Sequence, residues 1–255
     1  MLKKLLLVIF VIGLVVAGIL LAIGSKTMAN VSYQSYQTAT YSYDVELDTV
    51  YDSKSDMHAE NGILVSVSPQ RETEDAAGFS DAYYRASWER AQQWATERRT
   101  GLADVMLIFA HPLTLEEANH ILDPIKANVF ESGFVGYVDG TPFAGYLKEE
   151  GRLSHTLQEC AKLGGYGVGP DGVVPEMTEN DVDKSAGDYD VRGYLAVRAW
   201  IDLANLDSLR HHQDVLLVDT TPQDVRDQLS ENPTWQGKVI RAVALEMPVW
   251  DYRWE

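Results

Sequence analysis

The densest set of side chains that could do chemistry is acidic: Glu176, Glu179, Asp181, Asp183, Asp188 and Asp190 fall within one short stretch. Calcium takes about six to eight oxygen ligands in a flexible geometry, which such a stretch and its carbonyls can supply. Asp181-x-Asp183-x-Ser185 copies the first three ligand positions of a helix-loop-helix calcium loop. The sixth position, however, is Ala186 rather than glycine, and the twelfth is Arg192 rather than glutamate. An EF-hand is therefore excluded. What remains is an irregular calcium site over Glu179, Asp181, Asp183, Asp188 and Asp190, with a plain solvated acidic loop as the competing reading.

Other familiar chemistries fail on spacing. The chain has no H-E-x-x-H, no G-x-S-x-G and no phosphate loop of the G-x-x-x-x-G-K-[ST] kind. The glycines of 164–169 follow a helical pattern rather than a strand, so the context of a dinucleotide loop is missing. His155 and Cys160, five residues apart on one helix, point about 140° apart and pair poorly. Cys160 continues the apolar pattern of Leu153, Leu157 and Ala161 and reads as a buried thiol. His211-His212, with Asp207 and Asp214, reads as a helix end, where the dipole favours cations, rather than as a metal site. Carboxylates that a hydrolase could draw together from distant positions, such as Glu131, Asp139, Glu149 and Glu150, are plentiful, but their separation is not a sequence property.

The elements that would position these groups alternate between helical and strand periods. Tyr41, Tyr43, Val45 and Leu47 alternate as a strand, and Asn61-Gly62 reads as a turn before Ile63, Val65 and Val67. Ser80 or Asp81 caps a helix reaching about Arg99, with Tyr84, Trp88, Ala91 and Ala95 as its buried stripe and Tyr83 and Trp94 off that face. Val105 to Phe109 forms a strand. Thr114 and Glu117 make a capping box for a helix ending near Asp123-Pro124. Val129 to Val138 and Thr141 to Leu147 flank Asp139-Gly140, a hairpin signal. After a short helix over 153–163 comes a glycine-rich acidic loop, 164–190. The order resumes with strand Tyr194 to Trp200, helix Leu203 to Leu209, strand Val215 to Val218, a helix opened by Thr221-Pro222 and a last strand from Val239 to Met247. Stretches 103–147 and 192–219 each run strand, helix, strand. Placed in one sheet they predict an α+β domain of ferredoxin-like type, one sheet covered by helices.

All of this follows an unbroken apolar run from Leu5 to Ile23, long enough as a helix to span roughly 28 Å of hydrocarbon. Lys3 and Lys4 precede it and Lys26 alone follows closely, which predicts a single-pass anchor with a cytoplasmic N-terminus and an extracytoplasmic C-terminal domain. The cleavable signal peptide is the alternative, but its apolar core runs about 7–15 residues. Three of the 21 basic residues precede residue 27 and all 38 acidic ones follow it, so residues 27–255 carry a formal charge of −20. Such a surface repels nucleic acid and anionic headgroups. A single cysteine excludes an intrachain disulfide.

The expected organisation is thus a tail and anchor over 1–26, a Tyr/Ser/Thr-rich spacer with a strand over 27–58, and an extracytoplasmic α+β domain over 59–255. With no catalytic motif, the leading expectation is an anchored protein-binding or accessory subunit of a membrane complex. Tyr33, Tyr36, Trp250, Tyr252 and Trp254 are its candidate contacts. An anchored hydrolase using carboxylates is the second expectation and an envelope structural protein the third.

Overall fold

Strand β4 (Leu102–Leu113) is buried on both faces along most of its length, and that fact organises the molecule. Ala103, Val105, Leu107 and Phe109 point to one side, Met106 and Ile108 to the other, and each set belongs to a separate core. A near-continuous apolar run is what a strand covered on both faces requires. The computed structural model describes residues 33–49, 61–73, 78–138, 141–163, 166–169, 172–173 and 189–247.

The remaining elements, in chain order, are β1 (Tyr33–Gln37), β2 (Tyr41–Thr49), β3 (Asn61–Pro69), α1 (Asp81–Thr96), β4, α2 (Leu115–Leu122), β5 (Asn128–Val138), β6 (Thr141–Gly151) and α3 (Leu157–Leu163). Then come β7 (Tyr166–Gly169), β8 (Gly172–Val173), β9 (Tyr189–Asp202), a 3-10 turn (Leu203–Asn205), α4 (Leu206–Arg210), β10 (Val215–Asp219), α5 (Thr221–Glu231) and β11 (Val239–Leu245). They build an α+β fold with two sheets. The larger has seven strands in the order β10-β4-β9-β5-β6-β7-β8, and the smaller has four in the order β1-β2-β3-β11. In the larger sheet β9 lies between β4 and β5 and is antiparallel to both. The chain therefore crosses from β4 through α2 to β5, leaving a gap that β9 fills later. It next steps from β9 through α4 to β10 on the far side of β4.

One face of the seven-stranded sheet carries helices: Ala91 and Trp94 of α1, Ala118, Ile121 and Leu122 of α2, Cys160 of α3, and Leu206 and Leu209 of α4 share its core. The opposite face is covered by the four-stranded sheet, through Tyr43, Val45, Ile63, Val65 and Val243, together with Val225 and Leu229 of α5. The expectation of one sheet covered by helices is corrected here. The polar alternation of β2 and β3 suits a strand half-buried on one side, and three such strands with β11 make a second sheet.

Local signals hold where they are self-contained. Ser80 accepts from the Tyr83 amide at the start of α1. Thr114 and Glu117 form the full capping box of α2. The β5–β6 hairpin closes with Val138 opposite Thr141; Asp139-Gly140 lie outside the described residues. Three expectations change. Asn61 and Gly62 lie inside β3, opposite Thr49 and Asp48, rather than in a turn. The 164–190 stretch contributes β7, β8 and the start of β9. Helix α1 buries Tyr83, Ser87, Ala91 and Trp94, whereas Trp88 is exposed. Its face is rotated from the hydropathy stripe because the buried side includes polar groups. Tyr83 donates to Asp219 Oδ2 at 2.5 Å and Arg90 donates to Thr221 Oγ1 at 2.9 Å. Burial and the neighbouring Asp219 raise the Tyr83 phenol well above its usual range.

No helix among the described residues is long and apolar enough to cross a membrane; residues 5–23 lie outside them. Where β4 and β9 meet, Gly193 adopts φ +154, and a Cβ there would sit 2.5 Å from the Leu113 carbonyl oxygen. Gly193→Ala should therefore cost about 1–3 kcal/mol, the usual range for forced overpacking. Urea unfolding of the variant measures it, and an unchanged midpoint would show that the backbones can separate there.

Candidate functional site: a cleft between the two sheets

The chemistry of the inter-sheet layer centres on three charged residues from three elements. Asp104 on β4 and Arg198 on β9 are both buried, at 0% and 3% side-chain exposure, and Arg226 comes from α5. Arg198 Nη2 donates to both Asp104 oxygens at 2.8 Å. Arg226 adds a bond from Nε to Asp104 Oδ2 at 3.1 Å. The backbone amide of Asp104 donates to Gln223 Oε1 of α5 at 3.1 Å, so strand and helix are tied twice. One carboxylate thus serves two guanidiniums, and the trio carries a net positive charge.

The two arginines also reach the smaller sheet. Arg198 Nη1 donates to the Val243 carbonyl and Arg226 Nη1 to the Ile240 carbonyl at 3.5 Å, both on β11. Among the described residues strand β11 is an edge strand, paired with β3 on one side only. Its other side faces a cleft of about 790 Å³ walled by β5, β6 and β9. Tyr146 closes part of that wall by donating to the Met247 carbonyl at 3.2 Å.

The cleft combines three aromatic rings, those of Phe130, Tyr146 and Trp200, with aliphatic side chains of 242–247 and with charges set among them. The Arg198 guanidinium lies 5.0 Å from the Phe130 ring centroid and the Arg226 guanidinium 4.9 Å from that of Trp200. The two rings are themselves 6.4 Å apart. Each stack is worth about 0.5–2 kcal/mol and holds its ring in a fixed orientation. Lys148 and Arg241 add positive charge at the rim, and Glu131 and Glu246 add negative. Glu246 is held by Arg71, whose Nη2 lies 2.6 Å from each of its oxygens. Arg241 pairs with Asp48 at 3.1 Å. Among the described residues Glu131 has a single ion pair, a long contact of 3.8 Å to Arg198. Burial pushes its carboxyl above the usual range, with Arg198 pulling the other way.

The residues singled out from sequence fall elsewhere. Of the proposed calcium ligands, Asp190 lies on β9 and pairs with Arg192 at 2.7 Å; Glu179, Asp181, Asp183 and Asp188 lie outside the described residues. Among the described residues no group of three or more His, Cys, Asp or Glu side chains could hold a metal ion. Trp250, Tyr252 and Trp254 are also outside the described residues. Tyr36 is turned inward: it stacks on Tyr43 at 4.8 Å and accepts from Trp235 Nε1 at 2.7 Å. Tyr33 is 57% exposed.

Glu149 is buried and accepts from Ser132 Oγ at 2.8 Å, with His155 Nδ1 at 3.2 Å from its other oxygen. Cys160 faces the Tyr194 hydroxyl at 3.5 Å rather than His155, and burial raises its thiol. His211 Nδ1 sits 2.7 Å from the Asp207 carbonyl at the end of α4. Sequence reasoning missed Asp104, Arg198 and Arg226. The available signal was a charged residue interrupting an otherwise apolar strand, at Asp104 before Val105 and again at Arg198 between Val197 and Ala199.

No family model matches the chain, and neither a curated protein nor a solved structure matches it.

Two outcomes follow. Asp104→Asn leaves two guanidiniums facing a neutral amide and should cost about 3–5 kcal/mol, the range for breaking a buried ion pair from one side. Denaturant unfolding reads it, and a loss below about 1 kcal/mol would place the trio in the class of weak surface pairs. Glu131 has a folded-state pKa above its unfolded one, so its contribution favours the folded state at low pH and is lost as pH rises through the raised value. Melting curves of wild type and Glu131→Gln should converge near about pH 4 and separate toward neutral pH, with the variant gaining. A constant offset would contradict the burial of that carboxyl.

Proposed function

We propose that this chain is a protein-binding accessory subunit, held at a membrane by residues 5–23 with its N-terminus cytoplasmic, and that it grips a partner segment in the inter-sheet cleft. The strands β10-β4-β9-β5 with α2 and α4 form, on this reading, a ferredoxin-like unit to which the four-stranded sheet has been added. The observation that carries the proposal is the wall itself. Phe130 and Trp200 stand half-exposed in the cleft, each backed by an arginine that is hydrogen-bonded both to Asp104 and to a β11 carbonyl. Aromatic surface presented on a rigid support offers large contact area at small entropic cost, which is how interface anchors work.

The cleft also holds two carboxylates, Glu131 and Glu246, which is the feature a carboxylate hydrolase would need. Glu246 is committed to Arg71 through both oxygens, and that favours binding over acid–base chemistry. A hydrolytic reading draws better support from Glu149 and His155, a buried carboxylate orienting a half-exposed imidazole.

The test is gentle detergent extraction of the tagged full chain from its native membrane, with mass spectrometry of proteins recovered at stoichiometric level. Wild type should bring down one consistent partner, Trp200→Ala should lose it at least tenfold, and His155→Ala should retain it. Recovery of the chain alone, or full retention of the partner by Trp200→Ala, would overturn the cleft as the binding site.

A further inference from the structure

A second surface, separate from the cleft, lies at the other edge of the four-stranded sheet. Strand β1 pairs with β2 on one side only, and among the described residues no strand covers its outer side. Natural sheets blunt such edges with lysine, proline, bulges or a covering element. The sequence of β1, Tyr-Gln-Ser-Tyr-Gln, contains no charge and no proline, and its pairing with β2 runs without a bulge.

The hydrogen-bonding groups of this edge can be assigned. The Thr38 amide donates to the Tyr41 carbonyl at 2.9 Å, which makes Thr38 and Tyr41 a bonded pair. Antiparallel pairs alternate between bonded and non-bonded. Counting back along the register, Tyr36 opposite Tyr43 and Gln34 opposite Val45 are bonded to β2. Gln37, Ser35 and Tyr33 consequently turn their N–H and C=O groups outward. Three donors and three acceptors at alternate residues form a template for one more strand.

The charge beside that template says what kind of strand fits. Ser35 lies opposite Asp44 and Tyr33 opposite Glu46, on the solvent face of the sheet. Asp44 and Glu46 have no ion-pair partner among the described residues. An incoming strand would lie about 4.8 Å beyond β1, and so about twice that from β2. A long cationic side chain opposite Ser35 spans that distance over the short serine and reaches Asp44. A second copy of this chain would instead bring another strongly acidic domain against the first.

We propose that the outer edge of β1 accepts an extended, lysine- or arginine-bearing strand of a protein partner by strand addition. Nine residues, 24–32, separate the apolar run from Tyr33, a reach of at most roughly 30 Å. On the anchored reading, the partner strand therefore lies close to the membrane surface. The inference shares the need for a protein partner with the proposed function but uses none of the cleft residues.

The experiment uses the full chain in detergent micelles and two capped peptides, one alternating lysine with valine and one alternating glutamate with valine. Binding is followed by fluorescence anisotropy and its location by amide hydrogen exchange. The lysine peptide should bind at least tenfold tighter than the glutamate peptide, slow exchange at Tyr33, Ser35 and Gln37, and weaken with added salt. Ser35→Pro removes an outward donor without removing a bond to β2 and should abolish binding. Asp44→Lys keeps the backbone intact and should weaken binding at least tenfold, which keeps the test decisive if the proline variant fails to fold. Trp200→Ala should leave it unchanged. Equal binding of the two peptides, protection elsewhere than β1, undiminished binding by Asp44→Lys, or exchange at Tyr33, Ser35 and Gln37 already slow without peptide would each overturn the proposal.

Discussion

A single carboxylate between two guanidiniums holds the two sheets of this protein in register. Asp104 comes from β4, Arg198 from β9 and Arg226 from α5, and the same two arginines continue to carbonyls of β11. Burying three charges is expensive, and apolar replacements of similar shape often stabilise a fold relative to such a trio. Arg198 carries a further cost, since its Nε is buried without a hydrogen-bond partner among the described residues. What the trio supplies is direction. Hydrophobic contacts between sheets tolerate sliding, whereas directed hydrogen bonds to the Val243 and Ile240 carbonyls, from arginines that Asp104 holds in place, do not. The edge of β11, and hence the cleft wall, stands where these bonds put it.

The rest of the inter-sheet layer follows the same logic at lower charge. Tyr83, buried in α1, reaches Asp219 at the end of β10, and Asp219 in turn accepts the Thr221 amide at the first turn of α5. Tyr41 of the smaller sheet donates to Asp224 of that helix, and Gln228, one turn further along the same helix, donates to both the Asp224 carboxylate and the Tyr41 hydroxyl. Helix α5 is thus fixed on one side by the larger sheet and on the other by the smaller. It is the element through which both polar networks pass, and it presents Arg226 to the cleft.

Much of the local structure was legible because its causes are local. The Thr114–Glu117 box, the Ser80 cap and the Pro222 helix start depend on residues within one turn of each other, and each stands where its residues indicate. The strand-helix-strand order of the larger sheet was legible too. The second sheet was less so: its strands β1–β3 precede the larger sheet in sequence while β11 follows it, and only the long-range parallel pairing of β3 with β11 completes it. The face of α1 was misread because Ser87 is buried in a polar layer that hydropathy does not register. The cleft was out of reach, since 94 residues separate Asp104 from Arg198, and chance carboxylates outnumber meaningful ones in so acidic a chain.

The claim that the charged trio positions β11 is tested most directly by native-state hydrogen exchange on Arg198→Met, a substitution that removes both the Asp104 and the Val243 bonds while keeping much of the apolar volume. The account predicts that β11 amides exchange faster by at least tenfold, relative to wild type, while those of β5 and β6 hold their wild-type rates. Unchanged protection of β11, or a uniform loss over both sheets, would contradict it.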